Sequence, residues 1–88
     1  MPHRIEITRR AERQLKGLPA QTQERIAEGI SLLGQNPDSS KLDVKKLTND
    51  PEAHYRLRIG SYRVKFNRDD KIEIIAIIRI AHRKDAYR

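Results

Sequence analysis

The twelve residues Tyr55 to Phe66, reading YRLRIGSYRVKF, constrain the chain more than any other stretch. Apolar and basic residues alternate strictly on both sides of Gly60-Ser61. Period-two alternation defines a strand with one apolar face, and a two-residue connection that begins with glycine suits a type II′ hairpin turn. Such a turn dictates the register: Ile59 opposite Tyr62, Arg58 opposite Arg63, Leu57 opposite Val64, Arg56 opposite Lys65 and Tyr55 opposite Phe66. Every apolar pair then falls on one face. The other face carries Arg56, Arg58, Arg63 and Lys65 as a square, with facing Cβ atoms about 5 Å apart.

Like charges placed opposite one another destabilise a sheet by up to about 1 kcal/mol per pair. Long side chains that splay outward relieve part of that, and a bound polyanion relieves more. The whole chain agrees with the second reading, since 19 Lys and Arg stand against 12 Asp and Glu for a net charge of +7. The square is therefore read as a phosphate-binding face, with nucleic acid as the first candidate partner. The alternative is an ordinary solvated sheet face.

Around the hairpin, the pattern predicts an α+β chain forming a single domain over residues 1–88. Ile5 and Ile7 lie two apart in a first strand from His3 to Ile7. Thr8 is placed to cap a helix from Arg9 to Lys16, which Gly17 and Leu18-Pro19 end. A second helix runs to about Gln35, with Ile26, Ile30 and Leu33 at helical spacing, Leu32 alongside, and Asn36-Pro37 as the stop. Asp38 to Pro51 is polar and turn-rich, with room for a short edge strand around Val44 to Leu47. The last strand, Lys71 to Ile80, is apolar on both faces and so is expected at the centre of the sheet. A hairpin connection at Arg68 to Lys71 would align Ile72, Ile74, Ala76, Ile78 and Ile80 with Tyr62, Val64 and Phe66. The predicted architecture is an N-terminal strand, a helical hairpin and an antiparallel β-meander.

Several functions are disfavoured. A core of 88 residues is too small to enclose a deep pocket. The chain has no cysteine, which excludes disulfides, thiolate metal sites and a cysteine nucleophile and fits a reducing compartment. His3, His54 and His82 are too far apart in sequence for a ligand motif, so no metal and no cofactor is expected. The N-terminus carries charges where a signal peptide needs an apolar run, and the longest apolar run, Ile74 to Ile78, is far short of the roughly 20 residues of a membrane helix. A cytoplasmic protein without membrane contact is expected.

After the last strand the tail reads His82-Arg83-Lys84-Asp85-Ala86-Tyr87-Arg88. An imidazole, a guanidinium and a phenol so close together suit cleavage of RNA by its own 2′-OH. That reaction needs a proton acceptor, charge stabilisation at phosphorus and a proton for the departing 5′ oxygen. Imidazole is the side chain whose unperturbed charge change lies nearest neutrality, which makes His82 the candidate acid or base; Arg63 and Arg83 suit bidentate phosphate contact, and Tyr87 suits base stacking or proton donation. Taken singly, His82 reads as a surface or helix-capping residue and Tyr87 as a packing residue near a terminus; it is their combination with the basic hairpin that favours the chemistry.

The order of elements together with YRLRIGSYRVKF and IIRIAHRKDAYR resembles the RelE/ParE toxin superfamily over essentially the whole chain. The hairpin phrase is shared across the superfamily, whereas His82-Arg83-Lys84-Asp85-Ala86-Tyr87 is similar to the RelE branch. The resemblance implies a metal-independent, ribosome-dependent messenger RNA endoribonuclease. It also implies a cognate RelB-like antitoxin as partner, with operator DNA met only through that antitoxin. By position, Arg63, Arg83 and Tyr87 match the family's catalytic arginines and tyrosine, and His82 joins them as a candidate base. Arg56, Arg58 and Lys65 would contact RNA. Well-studied RelE members carry lysines at the positions of Arg56 and Arg58, and guanidinium is too weak an acid to act as a base. Proton transfer is therefore assigned either to His82 or to no single group, with substrate positioning and charge neutralisation carrying the rate. The competing functions are a ParE-like inhibitor of DNA gyrase and a non-enzymatic nucleic-acid-binding module.

Overall fold

The computed structural model describes residues 2–87, so Arg88 at the end of the polar tail lies outside the described residues. Strand β1 (Arg4–Ile7) leads into helices α1 (Arg9–Lys16) and α2 (Ala20–Gln35), followed by β2 (Asp43–Lys46), β3 (Tyr55–Ile59), β4 (Tyr62–Asp69) and β5 (Ile74–His82). The five strands form one sheet in the order β1-β5-β4-β3-β2. β1 runs parallel to β5 and the other pairs are antiparallel.

Both helices cover one face of the sheet. Ala11 of α1 and Ile26, Ile30 and Leu33 of α2 pack on Leu57, Val64, Phe66, Ile75, Ile77 and Ile80. Leu32, at the margin of that stripe, stays largely exposed. Gly34 lets the end of α2 close onto β1: a Cβ there would lie 2.9 Å from Ile5 Cγ1, and the Gly34 carbonyl accepts a 2.6 Å bond from His3 N–H.

Thr8 joins strand to helix with both functions of its hydroxyl. Its Oγ1 accepts from Ala11 N–H at 3.1 Å, the N-cap bond, and donates to the Ile78 carbonyl at 3.2 Å. Past the end of β1, Gln14 Oε1 accepts the Ile80 N–H at 2.8 Å. Helix α1 thus takes over the edge of β5 that β1 no longer covers.

The hairpin register is the one the turn dictates, in all five pairs. Gly60 carries a φ of 56°, the left-handed conformation needed at the first position of a type II′ turn. The edge strand is one residue earlier than the sequence pattern suggests. β5 is central as expected, but its facing is reversed for a physical reason. The connection from Asp69 to Ile74 contains four residues, an even number, so Ile75 and Ile77 turn to the helices beside Phe66. A bulge then leaves Ile78 without a partner between Lys65 and Phe66, shifts the phase, and returns Ile80 to the core opposite Val64. Ile72, expected in the apolar row, is 64% exposed in the connection.

Candidate nucleic-acid interface on the open sheet face

The face opposite the helices is built from two cross-strand rows. The register places Asp43, Arg58, Arg63 and Ala81 side by side across β2 to β5, and next to them Lys45, Arg56, Lys65 and Arg79. Six cations on one face call for acidic partners or for a polyanion. Among the described residues the protein concentrates its acids over one part of the surface and leaves Asp43 alone to pair with Arg56 in the other, and the division defines the site.

The buried part lies over β4 and β5. Lys65, expected as an open RNA contact, is only 2% exposed. Its ammonium is 2.7 Å from Asp50 Oδ2 and 3.2 Å from Glu52 Oε1. The Tyr87 ring covers it with 4.9 Å from Nζ to the ring centre. Lys65 is thus corrected from a surface phosphate ligand to the centre of an ionic cluster. Desolvation alone would have made a lone ammonium there untenable, which is why two acids accompany it. Glu52 also accepts from Arg79 Nη1 at 3.1 Å and from Arg10 Nη1 at 2.6 Å. Arg79 in turn donates to the carbonyls of Asp85 at 2.7 Å and Ala86 at 3.3 Å, so the tail folds back over the sheet with Ala86 fully buried.

This cluster has a consequence for acid stability. Burial pushes the carboxyls of Asp50 and Glu52 up, but Lys65 and two amides at Asp50, and Arg10, Arg79 and Lys65 at Glu52, outweigh it, so both pKa values fall below the usual carboxylate range. Groups with a depressed folded pKa add stability above their unfolded values of about 4, and that stability is lost as pH falls through the folded values. The melting temperature is expected to hold from neutral pH to about pH 5 and to drop progressively toward pH 3. Thermal unfolding across that range checks this, and a flat profile would show that the cluster does not depend on its charges.

The open part lies over β2 to β4. Lys45, Lys46, Leu47, Thr48, Arg56, Arg63 and Tyr87 line a cleft of about 490 Å³. Arg56 is held in it by Asp43, whose carboxylate and carbonyl each accept from Nη1 at 2.9 Å. That contact keeps the Asp43 carboxyl below its ordinary range. Arg63 is braced by the Gly60 and Tyr62 carbonyls at 3.2 and 3.1 Å. Arg58, in the adjoining row, is exposed. Tyr87, 55% exposed, offers one ring face to Lys65 and retains surface for a base. Guanidinium groups fixed at two points beside two lysines suit a phosphate backbone, and the tyrosine suits a stacked base.

His82 does not join them. It pairs with Tyr62 across β4 and β5, and the two rings meet edge to face at 5.5 Å, which places the imidazole on the helix side of the sheet. Its Nδ1 accepts from Lys84 N–H at 3.3 Å. Arg83 is exposed one residue later, with its amide donating to Ser61 O at 2.7 Å as a continuation of the ladder. Of the seven residues picked out in sequence, the structure thus gathers Arg56, Arg63 and Tyr87 in the cleft with Arg58 beside it. It buries Lys65 beneath the tail, keeps Arg83 at the strand end and sets His82 apart.

Sequence reasoning missed Lys45 because the phase of a four-residue edge strand is set by its partner, not by its own pattern, and missed Lys46 because it borders the cleft from the strand end, in register with Tyr55. It missed Asp50 and Glu52 because loops have no period. No local signal marks them, because the need for acids arises only once the fold buries Lys65. Among the described residues no group of three or more His, Asp or Glu side chains is arranged to hold a metal ion, and no helix is long and apolar enough to cross a membrane.

A five-stranded, mostly antiparallel sheet with two helices is the fold of a toxin class. The chain belongs to the ParE toxin family of type II toxin-antitoxin systems, whose family model matches residues 5–87, and so to the RelE/ParE superfamily. Within it, the similar proteins bear Rel names. The protein designated RelE1 of Methanocaldococcus jannaschii is 37% identical across all of this chain and 98% of its own length. Toxin RelG of Mycobacterium tuberculosis is 31% identical across all of this chain and 99% of its own. The toxin fold in the RelE-RelB complex of Pyrococcus horikoshii matches with a TM-score of 0.79 at 31% identity, covering 98% of this chain and 100% of that one.

Proposed function

We propose that this protein is a ribosome-dependent endoribonuclease toxin that cuts messenger RNA in the cytoplasm without a metal, and that a RelB-like antitoxin restrains it. The observation that carries this reading is the cleft that combines two braced arginines, two lysines and a half-free tyrosine on a rigid sheet. The message would lie with its scissile phosphate against Arg63 and Arg56, further phosphates toward Arg58, Lys45 and Lys46, and a base on Tyr87. The 2′ oxygen attacks phosphorus, the bond to the 5′ oxygen breaks, and a cyclic phosphate and a 5′ hydroxyl result. Fixed cations stabilise the charge that accumulates on the phosphoryl oxygens, and Arg83 at the strand end can add to them. The antitoxin complex of the Pyrococcus relative supports a RelB-like partner, which would meet operator DNA on the toxin's behalf.

Primer extension on messenger bound to purified ribosomes tests the reading: new 5′ ends should appear only when both protein and ribosomes are present. A second reading is favoured by one observation, the match to the ParE family model. Under it the message stays intact and DNA gyrase is inhibited instead.

The position of His82 bears on the proton acceptor. With its imidazole on the far face, His82→Gln is expected to change the single-turnover rate less than threefold and to leave its pH dependence unaltered between about pH 5.5 and 8. Loss of a rising limb in the variant would return His82 to the role of base.

A further inference from the structure

Glu52 lies in the loop between β2 and β3, outside the cleft, yet it is the point on which three cations from three elements converge. Its Oε1 accepts from Lys65 of β4 and Arg79 of β5, and its Oε2 from Arg10 of α1. Two of these cations hold the tail. Arg79 spans the carbonyls of Asp85 and Ala86, and Lys65 supports the Tyr87 ring. Tyr87 is a wall of the cleft. Arg83 does not depend on this chain of contacts, since its amide is fastened separately to Ser61 O. Among the described residues the strand ladder fixes Arg83 and the ionic cluster fixes Tyr87.

We propose that Glu52 is a positioning residue for RNA cleavage, acting through Arg79 and Lys65 to hold Tyr87 against the cleft. This rests on the endoribonuclease reading above. Without the Glu52 carboxylate, Lys65 retains Asp50, but Arg79 loses the carboxylate that orients its guanidinium toward the two tail carbonyls. Among the described residues the buried Arg79 Nε has no hydrogen-bond partner, so the contacts that orient the group there are those of its Nη atoms. A tail released by even an ångström would present Tyr87 to the base in many orientations instead of one.

The test uses Glu52→Gln, which keeps shape and removes charge, in the full-length protein. The single-turnover cleavage rate at saturating ribosome should fall at least tenfold while ribosome affinity changes less than threefold, because the cleft cations remain. Hydrogen exchange at the Asp85 amide, which donates to His82 O at 2.8 Å, should accelerate in the variant. The decisive measurement is the double-mutant cycle with Tyr87→Ala. If Glu52 acts through Tyr87, Glu52→Gln adds less than twofold to the loss already caused by Tyr87→Ala. An equal tenfold loss on both backgrounds, or a wild-type rate in Glu52→Gln, overturns the proposal.

Should Glu52→Gln not fold, Arg79→Lys keeps the charge beside Glu52 but cannot span both carbonyls, and the same rate loss and the same cycle apply. If the wild-type protein leaves ribosome-bound messenger uncut, the endoribonuclease reading fails and the proposal with it. The exchange measurement then still reports whether Glu52 holds the tail, so the two failures are distinguishable.

Discussion

Arg63→Ala is expected to lower the single-turnover rate of messenger cleavage by about 100-fold, with ribosome affinity reduced by no more than a few-fold. Removing one preorganised donor from a site of developing charge typically costs two to three powers of ten in rate. Arg63 meets the requirement of preorganisation: the Gly60 and Tyr62 carbonyls brace its guanidinium, and it lies in the cleft with Arg56 and Tyr87. Affinity should change far less, because Arg58, Lys45 and Lys46 continue to attract the backbone and uniform phosphate binding is shared among many groups. Arg63→Lys should recover only part of the loss, since an ammonium keeps the charge but gives up the planar pair of donors. Rates from quenched-flow cleavage and affinities from ribosome pelleting separate the two effects. A variant with a wild-type rate would remove Arg63 from the reaction, and one that loses affinity and rate equally would make it a binding residue.

Local pattern and tertiary context divided the work unequally in this chain. The hairpin was readable because alternation and turn length both act over a few residues, so each pair from Tyr55/Phe66 to Ile59/Tyr62 followed from twelve letters. The cap of α1 and the C-terminal ends of both helices were readable for the same reason, Thr8, Gly17 and Asn36-Pro37 being local signals. β5 was not, because its isoleucines populate both faces and leave the phase to be decided by a loop length and a bulge. The site divides along the same line. Arg56, Arg58 and Arg63 are a periodic feature of one hairpin. The burial of Lys65 and the separation of His82 are consequences of how a loop and a tail cross a sheet, which no period records.

Leu57→Asp is expected to abolish soluble folding, whereas Arg58→Asp, one residue along the same strand, should leave a folded protein. Leu57 is 1% exposed, with Val64 opposite it and α2 above. A carboxylate there must either remain charged without a partner or take up a proton, and it also surrenders the apolar contacts of the leucine. Breaking a buried charge pair costs about 3–5 kcal/mol, and a lone charge with no pair to begin with is at least as unfavourable. At roughly 0.05–0.15 kcal/mol per residue, a chain of this size has only about 4–13 kcal/mol in total. The contrast with Lys65 explains why burial of charge is not forbidden in this sheet as such. Lys65 is as buried as Leu57 but faces the other side, where Asp50 and Glu52 are 2.7 and 3.2 Å away. Arg58 faces that side too and is exposed, so an aspartate in its place meets water, with Arg63 on one side to offset the like charge of Asp43 on the other. Expression, solubility and thermal unfolding of the two variants decide the matter. A soluble Leu57→Asp protein with a melting transition close to the wild type would mean that the apolar row of the hairpin does not face the helices.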